Sequence, residues 1–300
     1  MIDIRSDFKR NRMIYFLMLP VLAYFIIFSY IPMAGVVMGF QQFSPRGGIF
    51  GSPWVGLKHF RDFFSSVYFS RVLKNTFLLS FYDLLWGFPV PIILALLLNE
   101  VRNRAFKKTI QTISYLPYFI SLVIICGIVA DFTSSEGVIT ELAVALGGKR
   151  ENLLGQARYF RTIYIGSNIW QSAGFGSIIY LAALSSVDQE LYDAAVIDGA
   201  GRLRQTWHVT LPGIVSTIII LLIVRLGTIF AVGSEKIILL YSPVTYETAD
   251  IISSYVYRKG LQEFNYGYST AVNLFNSIIN TAFLLITNKI SKTYSETSLF

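Results

Sequence analysis

Charged residues make up only 14% of this 300-residue sequence, so its few polar clusters stand out. One runs from Ser186 to Pro212. It carries Asp188 and Glu190, then Asp193-Ala194-Ala195 and Asp198-Gly199-Ala200, then Arg202 and Arg204, and ends on Leu211-Pro212. Ser186 with Gln189 three residues later can form a capping box, and acidic residues suit the positive end of a helix. A short helix is therefore predicted, with Leu191, Ala194, Ala195 and Ile197 as its apolar side. Gly199 and Gly201 break it. A second amphipathic helix through Leu203 and Trp207 then leads to Pro212 as a first-turn proline.

The other polar residues sit inside apolar runs. Asn273, Asn276 and Asn280 are spaced i, i+3, i+7 and fall on one helical stripe, where they can meet a hydroxylated solute or bond to another helix. Trp170 and Gln171 offer a stacking face and an amide to a sugar ring, or an interfacial anchor. Tyr180 lies on the same run, with Asn168, Gly174 and Gly176 close by. Arg225 stands halfway along another apolar run, where a charge needs a partner, Asp83 or Asp131, or an aqueous path. A single cysteine, Cys126, and two histidines, His59 and His208, leave no metal site to build. No phosphate-cradling G-x-x-x-x-G-K-[ST] loop, zinc-binding H-E-x-x-H or nucleophile-bearing G-x-S-x-G is present.

The elements that must position these groups are membrane helices. Hydrophobic residues reach 54% and mean hydropathy is +0.55, outside the range of soluble domains. The net charge of +7 fits basic loops against anionic lipid headgroups better than nucleic acid. Six apolar runs are long enough to cross about 30 Å of hydrocarbon: residues 13–40, 72–98, 109–130, 162–184, 213–232 and 268–288. The first is too long for a signal-peptide core and is read as retained. Lys and Arg are denser in the N-terminal tail (Arg5, Lys9, Arg10, Arg12) and at 100–108 (Arg102, Arg104, Lys107, Lys108) than in the loops of the other side. That bias places both termini inside. Residues 1–300 form one membrane domain, with kinks expected at Pro20, Pro32, Pro89 and Pro91 and close helix approach at Gly35 and Gly39.

The 186–212 loop resembles the EAA loop of ABC importer permeases. That consensus runs roughly E-A-A-x-x-D-G-A, then, about nine residues on, I-T-L-P; here Asp193 replaces the usual Glu, one methylene shorter, and the second part reads Val209-Thr210-Leu211-Pro212. Trp54-Val55-Gly56-Leu57-Lys58-His59-Phe60 resembles the outer-loop signature of sugar-type permeases. Glu235 to Pro243, Tyr246 to Asp250 and Tyr255 to Leu261 are similar to the oligosaccharide and polysaccharide subgroup that includes alginate-type importers. The resemblance implies an all-α, type I importer permease in the bacterial cytoplasmic membrane, with a cytoplasmic coupling helix between spans four and five. It implies a second homologous permease, two ATPase subunits that bind ATP and Mg, and an extracytoplasmic sugar-binding protein. Asp193, Ala194, Ala195, Asp198, Gly199, Ala200, Arg202, Leu211 and Pro212 would then couple to the ATPase, with Arg202 and Arg204 facing either that subunit or lipid. This chain itself would bind no cofactor and catalyse no reaction. The competing class, a self-sufficient secondary transporter or channel, calls for internal repeats or ion-coupling residues in the spans, and the sequence offers few beyond Arg225 and Asp83.

Overall fold

A computed structural model describes residues 4–230 and 233–294, with side chains from Arg10 to Lys289. The side chains of Arg5, Lys9 and Lys292, and Val232 at the end of the fifth expected span, lie outside the described residues. Every named element among the described residues is helical. Four helices are long and apolar enough to cross a membrane: α1 (Arg10–Phe40), α2 (Phe69–Glu100), α7 (Arg202–Gly227) and α9 (Tyr266–Lys289), the last continuing to Tyr294. Between α2 and α7 lie α3 (Arg104–Phe119), α4 (Leu122–Phe132), α5 (Ala157–Ser185) and α6 (Gln189–Ile197). Ser234–Leu240 forms α8.

Two expected spans are not plain apolar helices. The third is not one helix: α3 and α4 meet at a bend of 105°. Pro117 tightens the end of α3 into a 3₁₀ turn, and Ile120 and Ser121 are extended before α4 begins. A proline withholds a helical N–H, and this one was not among the expected kinks. The fourth, α5, has the length, 29 residues, but is not among the helices that pass on apolarity. Some of its small and hydroxyl residues face protein. A Cβ on Gly174 would lie 1.9 Å from the Ser114 carbonyl oxygen, and Ser177 is fully buried. A helix face enclosed by neighbours has no need of an apolar surface.

The prolines that do act on α1, α2 and α7 follow one rule. Three π-turns, Ile26–Tyr30, Asp83–Gly87 and Thr206–Thr210, each end two residues before a proline: Pro32, Pro89 and Pro212. The proline ring would clash with the carbonyl four residues back and cannot bond to it. Widening the preceding turn moves that carbonyl aside without ending the helix. The second amphipathic helix expected before Pro212 is therefore the first part of α7, not a separate element.

The chain divides into two compact units. The first comprises residues up to Ser66 and Val256–Phe275. Here His59 Nε2 donates to the Gln41 carbonyl (2.9 Å), and a Cβ on Gly267 would meet that oxygen at 2.5 Å. Phe63 is buried against Tyr268 and Phe275, and Phe40 stacks on Trp54. The segment from Trp54 to Phe60 is thus a structural clasp. Of the two small residues on α1, Gly39 approaches Ala271 closely, whereas a Cβ on Gly35 would meet only Met38 of its own helix.

The second unit comprises Val67–Tyr255 and the chain from Asn276. Leu79, Ile125, Phe160, Tyr164, Ile237 and Ile251 form its main core around α5. The segment after α8 is tied down by buried polar bonds. Asp250, fully buried, accepts from Arg71 (3.3 Å) and Ser254 (2.9 Å), while Asn75 donates to the Glu247 and Asp250 carbonyls and accepts from Arg161 (2.8 Å). Buried polar groups bonded in this way rigidify a loop. They hold α8 where it packs on α4.

Candidate functional site

The loop between α5 and α7 is built to be stiff. Ser186 closes α5 instead of opening α6, its hydroxyl donating to the Ala183 carbonyl (2.8 Å). Asp188 is the cap of α6, accepting from the Glu190 amide (2.9 Å), so the expected Ser186–Gln189 box is replaced by a cap two residues later. At the other end Gly199 has φ +74°. Its amide donates to the Val196 carbonyl (3.0 Å) and that of Ala200 to Ala195 (2.8 Å). These are the paired bonds of a Schellman turn, which needs a left-handed residue at this position.

The turn is then fastened to α7. Gln205 Nε2 donates to the Ala200 carbonyl (2.8 Å), Tyr192 OH donates to Thr210 Oγ1 (3.1 Å), and a Cβ on Gly213 would overlap Val187. Arg202 reaches Glu100 at the end of α2 at 3.5 Å, an exposed pair that adds little. Asp193, Ala194 and Asp198 are exposed, Ala195, Ala200 and Leu211 half-buried, and Pro212 exposed. Leu191, Val196, Ile197, Leu203 and Trp207 all expose apolar surface, with Ile197 at 86%. Short helix and long helix are thus bonded together and present an uncovered apolar face.

The residues expected to meet a solute separate into three groups. Arg225 lies in the last turn of α7 rather than halfway along a span, because the helix ends at Gly227. There its guanidinium gains from the negative end of the helix and pairs with Asp83, the first of the two expected partners. Asn168 Nδ2 donates to the other Asp83 oxygen at 3.4 Å. Gln171 accepts from Lys236 Nζ (3.2 Å), and Trp170 is 45% exposed nearby in sequence. Lys236 is 4% exposed, with its ammonium 6.0 Å from the Tyr164 ring centroid. It stands on α8, beyond the apolar helix, and burial pushes its pKa down to about 8, with Cys126 and Asp83 acting the other way.

Lys236 is not among the residues expected from sequence; its signal is a lysine opening the apolar run Ile237-Ile238-Leu239-Leu240. Tyr180 is 4% exposed and packs with Ala95, Leu184 and Ile214. On α9, Asn273 is exposed, Asn276 half-buried, and Asn280 keeps its Oδ1 buried with no hydrogen-bond partner. Among the described residues no cluster of His, Cys, Asp and Glu could hold a metal.

Residues 87–295 match the family described as binding-protein-dependent transport system inner membrane component. Protein LplB of Bacillus subtilis (strain 168) is 45% identical over 97% of this chain and 92% of its own length. The polygalacturonan/rhamnogalacturonan transport system permease protein YteP of the same organism is 44% identical over 97% and 91%. Two crystal structures share the fold. A chain of a bacterial ABC transporter involved in the import of the acidic polysaccharide alginate has a TM-score of 0.89 at 47% identity, covering 96% of this chain and 98% of that one. A chain of a bacterial alginate ABC transporter in complex with alginate pentasaccharide-bound periplasmic protein has a TM-score of 0.90 at 45% identity, covering 99% of each.

Proposed function

This chain belongs to the family of binding-protein-dependent transport system inner membrane components, and from that premise we propose how it works as a permease. It is a multi-pass subunit of a saccharide-importing ABC transporter in the bacterial cytoplasmic membrane, and not an enzyme. It crosses the bilayer six times with both termini inside, the bent α3–α4 pair and α5 supplying the third and fourth crossings. Its two units act together as one permease domain over residues 1–300. A second, homologous permease completes the pathway, an extracytoplasmic sugar-binding protein delivers the solute, and two ATPase subunits bind ATP and Mg. The alternative of a self-sufficient secondary transporter is set aside by the family.

The observation that carries this reading is α6: capped at both ends, pinned to α7, and exposing Leu191, Val196 and Ile197. An uncovered apolar face on a rigid lever is suited to sit in a groove of the ATPase, and a rigid-body shift there moves α7 with it. Asp193, Ala194, Ala195, Asp198, Gly199, Ala200, Arg202, Leu211 and Pro212 form this coupling element. Trp170, Gln171, Arg225, Asn273, Asn276 and Asn280 line the pathway. Arg225 and Lys236 favour an acidic oligosaccharide or polysaccharide over a neutral one.

Gly199→Val tests the lever. A β-branched residue at φ +74° costs roughly 1–3 kcal/mol and opens the Schellman turn. In the reconstituted complex, ATP hydrolysis is expected to continue while uptake falls and the binding protein still docks. Unchanged sugar uptake per ATP removes Gly199 from coupling.

A further inference from the structure

The charges around Arg225 do not balance. Among the described residues Asp83 is the one carboxylate paired with Arg225, and Arg225 and Lys236 are two cations; the other groups facing Lys236 are Gln171 and Tyr164 of α5 and Cys126 of α4. An unneutralised cation in a poorly hydrated setting is costly and is retained where an anion comes to meet it. The three groups are also unequally accessible. The Arg225 side chain is 49% exposed, that of Asp83 only 17%, and Lys236 is buried. An arriving solute therefore meets Arg225 first. Asp83 is loosely held on its far side, by the 3.4 Å bond from Asn168, and Gln171, which bonds Lys236, lies three residues on from Asn168 on the same face of α5.

We propose that Asp83 is an exchange partner: an incoming uronate carboxylate takes Arg225 from Asp83, and Asp83 turns to Lys236. Before exchange one cation is unpaired; afterwards all four charges are paired. The cluster accepts one carboxylate at a time, and release reverses the exchange, Asp83 reclaiming Arg225 and repelling the departing anion. Arg225 is the contact group, while Asp83 and Lys236 set specificity through it. The inference rests on the saccharide-permease reading and deepens it. Lys236 must be protonated to receive Asp83, so the exchange weakens as pH rises through about 8.

The test uses the whole complex in proteoliposomes with its binding protein, and three probes: alginate pentasaccharide, a galacturonate trisaccharide and neutral arabinotriose. Lys236→Gln leaves Asp83 no second partner and should raise KM for the acidic probes about tenfold with little change in kcat. Asp83→Asn should lower both KM and kcat, because nothing displaces the bound anion. In the Asp83→Asn background Lys236→Gln should change KM by less than about threefold, so that the double variant resembles Asp83→Asn and the tenfold rise is lost, with arabinotriose indifferent throughout. The parent's KM for acidic probes should rise above pH 8, and this rise should vanish in Lys236→Gln. If that variant does not assemble, Lys236→Arg keeps the cation and should carry the alkaline loss to higher pH. Additive effects of the two substitutions, or a parent that prefers arabinotriose, overturn the exchange alone. A parent that moves none of the probes overturns the saccharide reading and the exchange with it.

Discussion

Gly174 shows how much one missing methyl group decides. A Cβ there would sit 1.9 Å from a backbone oxygen of Ser114, and backbone cannot swing aside as a flexible side chain can. Gly174→Ala should force α3 and α5 apart and destabilise the protein by about 1–3 kcal/mol, seen as a lower unfolding temperature of the purified complex. Gly199→Ala, by contrast, has open space around it, and its penalty comes from backbone conformation alone. The two glycines look alike in sequence. Only the first is a contact, and only the second is a turn.

At the scale of elements, proline and π-turn work as a pair, and the pairing places a functional side chain. Asp83 opens the turn that Pro89 requires. Pro89→Ala allows that turn to tighten to ordinary α-helix, which swings Asp83 by about 100° relative to the rest of α2. The ion pair with Arg225 should then be lost, and uptake of an acidic saccharide should fall severalfold while the complex still assembles. Retention of normal uptake would mean that the turn does not set Asp83. The same logic explains what sequence showed at Pro212: a helix start was read where a widened turn lets α7 run through.

For the molecule as a whole, apolar periodicity located the helices well because burial in lipid leaves a strong mark on composition. Residues 13–40, 72–98 and 268–288 fall within observed helices almost residue for residue. The loop at 186–212 was legible because caps and glycines act locally. The 105° bend was not, since it depends on how Ile120 and Ser121 emerge from the turn at Pro117. Of the polar cluster, the Arg225–Asp83 pair was one of two the sequence left open, whereas the bond from Lys236 to Gln171 was not legible, since it joins two separate helices. The Asn stripe of α9 belongs to this scale too. Asn280 leaves an oxygen buried and unmet, so a donor from solute or a second permease would complete it. Asn276→Leu on the same stripe should weaken uptake yet leave the heteromer intact on purification; loss of assembly would give the stripe to the subunit interface.

One further consequence concerns biogenesis. Helix α5 is not apolar enough to pass as a span by itself, and Gly174 and Ser177 on it are shielded only by packing against the rest of the protein. On the six-span reading, a helix of that composition partitions poorly from the translocon alone. It has to leave in company, with α2 and α3 already waiting beside the exit. The order in which the ribosome delivers these helices is therefore part of what allows the protein to reach the bilayer.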